Sequence, residues 1–475
     1  MNCDKPRENL VAAELKRRAG AQNLDVFDED FAALLDDEDE LRSFREKFAY
    51  PRKETLPEIG QNLPAEELAE ECIYLCGNSL GLKPKSADAH MQAQLQKWAD
   101  MGVYMHFEEP LPAATCDRYG REALGRIVGA EPSSVTLMNG LTVNLHLLLC
   151  SFYQPAGDRY KILIEGGAFP SDRYAMLSQI ELRGYDPEEA LIQIQPRAGE
   201  DLIRIEDIME ILKEEGPSIA VVCLSGVQYY TGQKFDMERI TWAAHAEGCV
   251  VGWDLAHAVG NVEIRLDEWG VDFACWCTYK YLNSGPGCIA GAYVNKKHAG
   301  RSSKSQLRGW WSNKEDTRFL MQEHCDVAPG VDGFRLCNPP PFLVALVIAS
   351  LEIFDEAGME KIIRKQRLLT GYLEHLLLTY FNTESSSNSK PFARIITPDD
   401  PAQRGCQLSL SFSLPIGRVH AELGKRGIVC DVRQPNVMRI APAPLYNSYS
   451  DVHKFVTSLK DVFDKLAAET PLREG

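Results

Sequence analysis

Paired cysteines are missing from this 475-residue chain: its 14 cysteines are scattered, and no Cys-x-x-Cys occurs. That excludes a zinc site of ordinary spacing and disfavours a disulfide framework, so reduced, buried thiols in an intracellular chain fit better. Positive charge is also scarce. Lys and Arg number 51 against 68 Asp and Glu, a net charge of −17, and no basic stripe offers a nucleic-acid footprint. Part of the excess is the run Asp28-Glu29-Asp30 and Asp36-Asp37-Glu38-Asp39-Glu40, which reads as a solvated helix face. No apolar stretch approaches the length that spans a bilayer, and Met1-Asn2-Cys3-Asp4-Lys5 opens no signal-like run, so no membrane association and a cytoplasmic location are expected. Neither a P-loop nor Gly-x-Gly-x-x-Gly is present, which weakens nucleotide readings.

What is present is an ordinary globular composition, 45% hydrophobic and 25% charged. Residues 1–70 read as an acidic helical segment that packs with a small domain. From Ile73 to about Gly291 strand-like runs alternate with helical ones. Val135–Met138, Tyr160–Ile164, Ile219–Leu224, Cys249–Trp253 and Phe273–Cys277 are the strands. This alternation predicts a large α/β domain over 71–340 with a mostly parallel central sheet. After Pro339-Pro340-Pro341 an amphipathic helical pattern runs from Phe342 to Phe354 and on past Gly358 to about Tyr380. A polar stretch, Ser385 to Lys390, follows. Alternation at Gln407–Ser413 and the short apolar Val437–Ile440 complete a smaller α+β C-terminal domain over 341–475.

The chemistry concentrates where apolar strands end. Val250, Val251 and Trp253 lead into Asp254; Phe273 through Cys277 lead into Tyr279 and Lys280. Ligands of parallel sheets sit beyond the carboxyl ends of strands, which puts Asp254 and Lys280 in one crevice. A carboxylate and an amine so placed suit pyridoxal 5′-phosphate, with Lys280 as Schiff base and Asp254 against the ring nitrogen. His257 lies one helical turn beyond Asp254. Taken singly, Asp254 also reads as the N-cap of a helix over Leu255–Val259, His257 as a packed histidine and Lys280 as a snorkelling strand end. Asn139-Gly140-Leu141-Thr142 offers a helix N-terminus for a phosphate, and Ala168–Asp172 offers Phe169 as an aromatic face or Ser171 and Asp172 as caps. Tyr279 is placed to bind a phosphate or carry a proton. One rival is Gly77-Asn78-Ser79-Leu80-Gly81, a Gly-x-Ser-x-Gly pattern, but Lys83-Pro84-Lys85 interrupts the helix that a nucleophile elbow needs.

Gly252–Asn261, Gly270–Cys277 and Tyr279–Asn283 together closely resemble the kynureninase family. Tyr74–Gly81, Leu137–His146, Ala168–Asp172, Ser225–Val227, Gly330–Pro340, Arg404–Leu408 and Arg439–Ser448 extend the match over most of the chain beyond residue 70. The resemblance implies a pyridoxal-phosphate-dependent transferase-like fold of the aspartate-aminotransferase type. It also implies hydrolysis of kynurenine or 3-hydroxykynurenine to an anthranilate and alanine, within tryptophan catabolism and NAD synthesis. By the same resemblance Lys280 carries the cofactor as a Schiff base, Asp254 pairs with its ring nitrogen and Phe169 stacks on the ring. Leu141, Thr142, Ser225 and Tyr279 surround the phosphate, while Pro170, Ser171, Asp172 and His257 complete the pocket. Tyr279 is the candidate acid/base. Trp310 and Asn338 match residues given to the site across a homodimer interface; Arg439 matches the substrate-carboxylate arginine, and His106 a substrate-contacting histidine. Ser312-Asn313 stands where the family has Gly-His, and Cys337 where it has serine, which leaves the choice of substrate open. A related cysteine desulfurase or aminotransferase would share Asp254, His257 and Lys280.

Overall fold

The computed structural model describes residues 10–60, 63–300, 305–381 and 392–469. Met1–Lys5 and Ser385–Lys390 lie outside them. Two compact units emerge: residues 84–229 with 234–356, and residues 1–83 with 230–233 and 357–475.

The first unit is built on seven strands, β1 (Val135–Leu137), β2 (Lys161–Glu165), β3 (Leu191–Ile194), β4 (Ile219–Ser225), β5 (Val250–Asp254), β6 (Phe273–Trp276) and β7 (Gly291–Val294), in the order β1-β7-β6-β5-β4-β2-β3. The run β6-β5-β4-β2-β3 is parallel, and β7 is antiparallel to both its neighbours. Strands covered on both faces need apolar residues at nearly every position, and Ile219-Ala220-Val221-Val222-Cys223-Leu224 meets that requirement. Leu145, Leu148 and Phe152 from one helix and Met176 and Ile180 from another pack with Ile162, Ile164, Val221 and Phe273. Gly252 pairs with Phe273 across β5 and β6, and a Cβ there would fall 2.1 Å from the Phe273 ring. The glycine therefore lets β5 run straight into Asp254.

The second unit holds an antiparallel sheet in the order Ala393–Ile395, Leu408–Phe412, Val437–Ile440, Asp431–Arg433. The helices Met359–Tyr380 and Tyr449–Glu469 lie on it, and Leu15, Phe31 and Leu35 of the N-terminal helices join the same core with Leu369, Leu376, Phe455 and Leu459. An ion pair between Arg404 and Glu374, both fully buried, has two N–H···O contacts at 2.6 and 2.7 Å.

The division differs from the boundary expected at 340/341. The helix Pro341–Ala357 lies in the sheet unit as far as Glu356, and there Ser350 hydrogen-bonds Leu282, and Glu352 and Asp355 pair with His90 and Arg126. Gly358, at φ 78°, breaks the helical pattern, and the chain enters the second unit there. The N-terminal share of that unit runs to Lys83, past the expected residue 70.

Candidate active site

A cleft of about 530 Å³ lies at the carboxyl ends of the parallel strands, walled by Leu141, Thr142, Glu165, Phe169, Ser171, Asp172, Ser225, Asp254, His257, Tyr279 and Lys280, with Val227, Tyr229, Ala256 and Cys277. The topology explains who meets there. Glu165, Ser225 and Asp254 are the last residues of β2, β4 and β5, which are neighbours in the sheet. Thr142 and Ser171 begin the helices Leu141–Phe152 and Pro170–Leu182, and their hydroxyls meet at 2.7 Å. Two helix N-termini thus open into one cleft, a place with free amides and positive potential.

Lys280 stands beyond β6 in a loop tied by Thr278, whose hydroxyl donates to Ile289 O at 2.7 Å. Its Nζ lies 2.8 Å from His257 Nε2 and 6.0 Å from the Phe169 ring centre. The residues after Asp254 form turns, so the alternative reading of Asp254 as the N-cap of a helix over Leu255–Val259 does not hold: Asp254 Oδ1 accepts the Ala256 amide at 2.7 Å, an Asx turn that bends the chain and brings His257 back to Lys280. With Nζ as donor, the proton of a neutral His257 belongs on Nδ1.

The cleft is rich in carboxyl groups. Glu165, Asp172 and Asp254 are all buried. Burial, with the negative charge of Asp254 beside it, drives the Asp172 carboxyl well above the usual range; burial also raises Glu165. Burial and the neighbouring Cys277 push the Tyr279 phenol up, so it is protonated at neutral pH. Among the described residues Asp172 Oδ1 is buried with no hydrogen-bond partner.

These donors and acceptors fit pyridoxal 5′-phosphate. Helix N-termini with two hydroxyls suit a phosphate, an aromatic face suits a pyridine ring, the buried Asp254 carboxyl suits a protonated ring nitrogen, and an amine suits an aldehyde. The orphaned Asp172 oxygen marks an acceptor with room for a donor.

Other candidates stand elsewhere. Pro170 starts its helix without facing the cleft. Trp310 is exposed and packs edge-on against Phe319 at 5.3 Å; Phe319 in turn meets Phe107, the neighbour of His106. His106 and Asn338 are exposed. Arg439 belongs to the second unit, buried, with Nη2 donating to Asp431 at 2.6 Å. Ser79 is followed by the short strand Lys83–Pro84, so the nucleophile elbow is not formed. Glu165 was not singled out from the sequence, although its place at the end of an apolar strand is the same signal that singled out Asp254.

The parallel sheet with its lysine-bearing cleft defines a class shared with known folds. The description of class-V aminotransferases matches residues 73–397, and that of the kynureninase C-terminal domain residues 365–459. The solved structure of the cystine C-S lyase C-DES superposes at TM-score 0.66 and 16% identity, covering 82% of this chain and 97% of that one. A cysteine desulfurase from Thermococcus onnurineus NA1 superposes at TM-score 0.66 and 15% identity, covering 86% and 100%. At those identities the likeness concerns the fold. Kynureninases of Nematostella vectensis, Mus musculus and Homo sapiens are each 49% identical, covering 94%, 96% and 97% of this chain and 97%, 97% and 98% of theirs. The chain belongs to the kynureninase family.

Proposed function

We propose that the protein hydrolyses L-kynurenine, 3-hydroxy-L-kynurenine or both to anthranilate or 3-hydroxyanthranilate and L-alanine, with pyridoxal phosphate as cofactor. The observation that carries this reading is Lys280 Nζ in one cleft with Asp254 and two helix N-termini, in a chain that is 49% identical to kynureninases over nearly its full length.

When bound, the cofactor supplies an electron sink for the bonds broken at the substrate. The chain's residues do the rest. Thr142, Ser171 and the amides of their helices hold the phosphate, and Phe169 packs on the ring. Asp254 keeps a proton on the ring nitrogen, which preserves the electron demand. Lys280 Nζ would be the amine that carries the group and, when free, would serve as the base for the substrate α-proton. His257 accepts from Nζ and thereby aims it. Tyr279 retains its phenolic proton because ionising a half-buried phenol is unfavourable, which makes it the proton donor at the cleft. Arg439 binds the substrate carboxylate; its guanidinium is oriented by Asp431 and suits a bidentate partner.

The homodimer belongs to this proposal. The exposed aromatic contacts Phe107–Phe319 and Trp310–Phe319 form an apolar surface of the kind that marks subunit interfaces, with His106 beside it. Light scattering on purified protein measures the oligomer. Among the described residues no helix is long and apolar enough to cross a membrane, and the scattered, mostly buried cysteine thiols of the described residues support a reducing, cytoplasmic location.

The test is product analysis: protein with pyridoxal phosphate and either substrate should release alanine and the matching anthranilate in equal amounts. Release of alanine from cysteine with neither anthranilate formed would assign the chain to desulfurase chemistry instead.

A further inference from the structure

A glutamate ending an apolar strand inside a sheet is costly to bury unless something satisfies it. Glu165 is 2% exposed, and both its oxygens are engaged by one residue: Oε1 accepts the Ser225 hydroxyl and Oε2 accepts the Ser225 amide at 3.1 Å. Ser225 is held on its other side as well. It lies opposite Asp254 in the β4–β5 register, and the next amide, Gly226 N, donates to Asp254 O at 2.7 Å. Glu165, Ser225 and Asp254 therefore form a line across three adjacent strand ends, and all three face the cleft.

We propose that Glu165 is a positioning residue of the cofactor site: it fixes the backbone and hydroxyl of Ser225, so that Ser225 meets the bound cofactor in one orientation beside Asp254. The inference rests on the pyridoxal-phosphate reading above. Its physical content is directional. With the carboxylate taking the Ser225 hydroxyl proton, Ser225 Oγ presents lone pairs to the cleft; with Glu165 protonated, the same hydroxyl is free to donate into it. Burial raises the Glu165 carboxyl, with Asp254 adding to the effect, which brings this exchange nearer the working pH.

Glu165→Gln separates the roles. The amide keeps the shape and one acceptor, but its NH₂ cannot accept the Ser225 amide proton. Apoprotein is titrated with pyridoxal phosphate by visible absorbance, the pH midpoint of the bound cofactor's absorbance is recorded, and melting of the apoprotein is followed as a folding control. The expected result is a Kd raised about tenfold to a hundredfold, as for loss of a hydrogen bond to a charged group, with a displaced pH midpoint. Ser225→Ala should weaken binding similarly, and the double variant should be no worse than the weaker-binding single one, because both changes break the same link. Wild-type Kd and midpoint in Glu165→Gln, or additive losses in the double variant, overturn the proposal. If Glu165→Gln fails to fold, Ser225→Ala decides: unchanged affinity and midpoint overturn it. A wild-type protein that takes up no pyridoxal phosphate overturns the function reading too, whereas a wild type that binds it and variants that bind equally well overturn this inference alone.

Discussion

Two of the acidic sites buried in the sheet unit have opposite designs. At one, Asp272 accepts Lys297 Nζ at 2.7 Å, His298 Nε2 at 2.7 Å, His245 Nε2 at 2.8 Å and the Val251 amide at 2.8 Å. Burial opposes its ionisation, but these donors outweigh it and hold the carboxyl far below the usual range. At the other, burial raises Glu165 and Asp172, and Lys280 offsets the charge on Asp172 only in part. The first carboxylate is completed by the chain's own cations and amides, so it stabilises the fold. The second site gathers three buried carboxyl groups around one lysine, so two of them are driven toward the protonated form and the site is less settled than the first.

The largest expected effect is at the lysine of the second site. Lys280→Ala should lower turnover by more than about 1,000-fold and remove the covalently held chromophore, with the fold intact; a fully active variant would refute the assignment. Next comes the carboxylate swap. Asp272→Ala removes the acceptor of the Val251 amide and of two imidazoles and should lower stability by about 1–3 kcal/mol in urea unfolding. Asp254→Asn should instead weaken pyridoxal-phosphate binding by roughly tenfold to a hundredfold and leave the apoprotein folded. If Asp272→Ala lost the cofactor and Asp254→Asn unfolded the chain, the contrast would be reversed.

A finer test is the sign of the pH dependence. Asp272 has a depressed folded-state value, so its stabilisation is present above the unfolded carboxyl value of about 4 and is lost as pH falls below it. Asp172 is raised, so its contribution runs the other way: apoprotein stability should increase as pH falls from neutral toward about 4. Asp172→Asn should flatten that slope and raise apoprotein stability at neutral pH; an unchanged slope in urea titrations would show that Asp172 is not the group involved. The smallest effect lies outside both sites. Glu422 is held near about 2 by Lys425 and Lys465, and Glu422→Gln should cost less than about 1 kcal/mol in the same assay.

Much of the cleft was legible residue by residue. Asp254 and Lys280 follow apolar strands, and Thr142, Ser171 and Asp172 start helices, positions that local pattern identifies. Glu165 was not, because one charged residue ending a short strand reads as a solvated end until its burial and its two bonds to Ser225 are known. The boundary expected at 340/341 falls early for a similar reason: the helical pattern runs through residue 357, and only packing assigns residues 341–356 to the sheet unit.

By itself, the sequence determined the alternation of strands and helices, the family, and the types of chemical group available, because strand ends, helix starts and motif spacing are local properties. Tertiary structure alone decided which groups share a dielectric environment. Burial and neighbours turn Asp172 and Asp272, two aspartates alike in sequence, into a carboxyl driven up and one driven down, because a group's charge depends on what surrounds it in space.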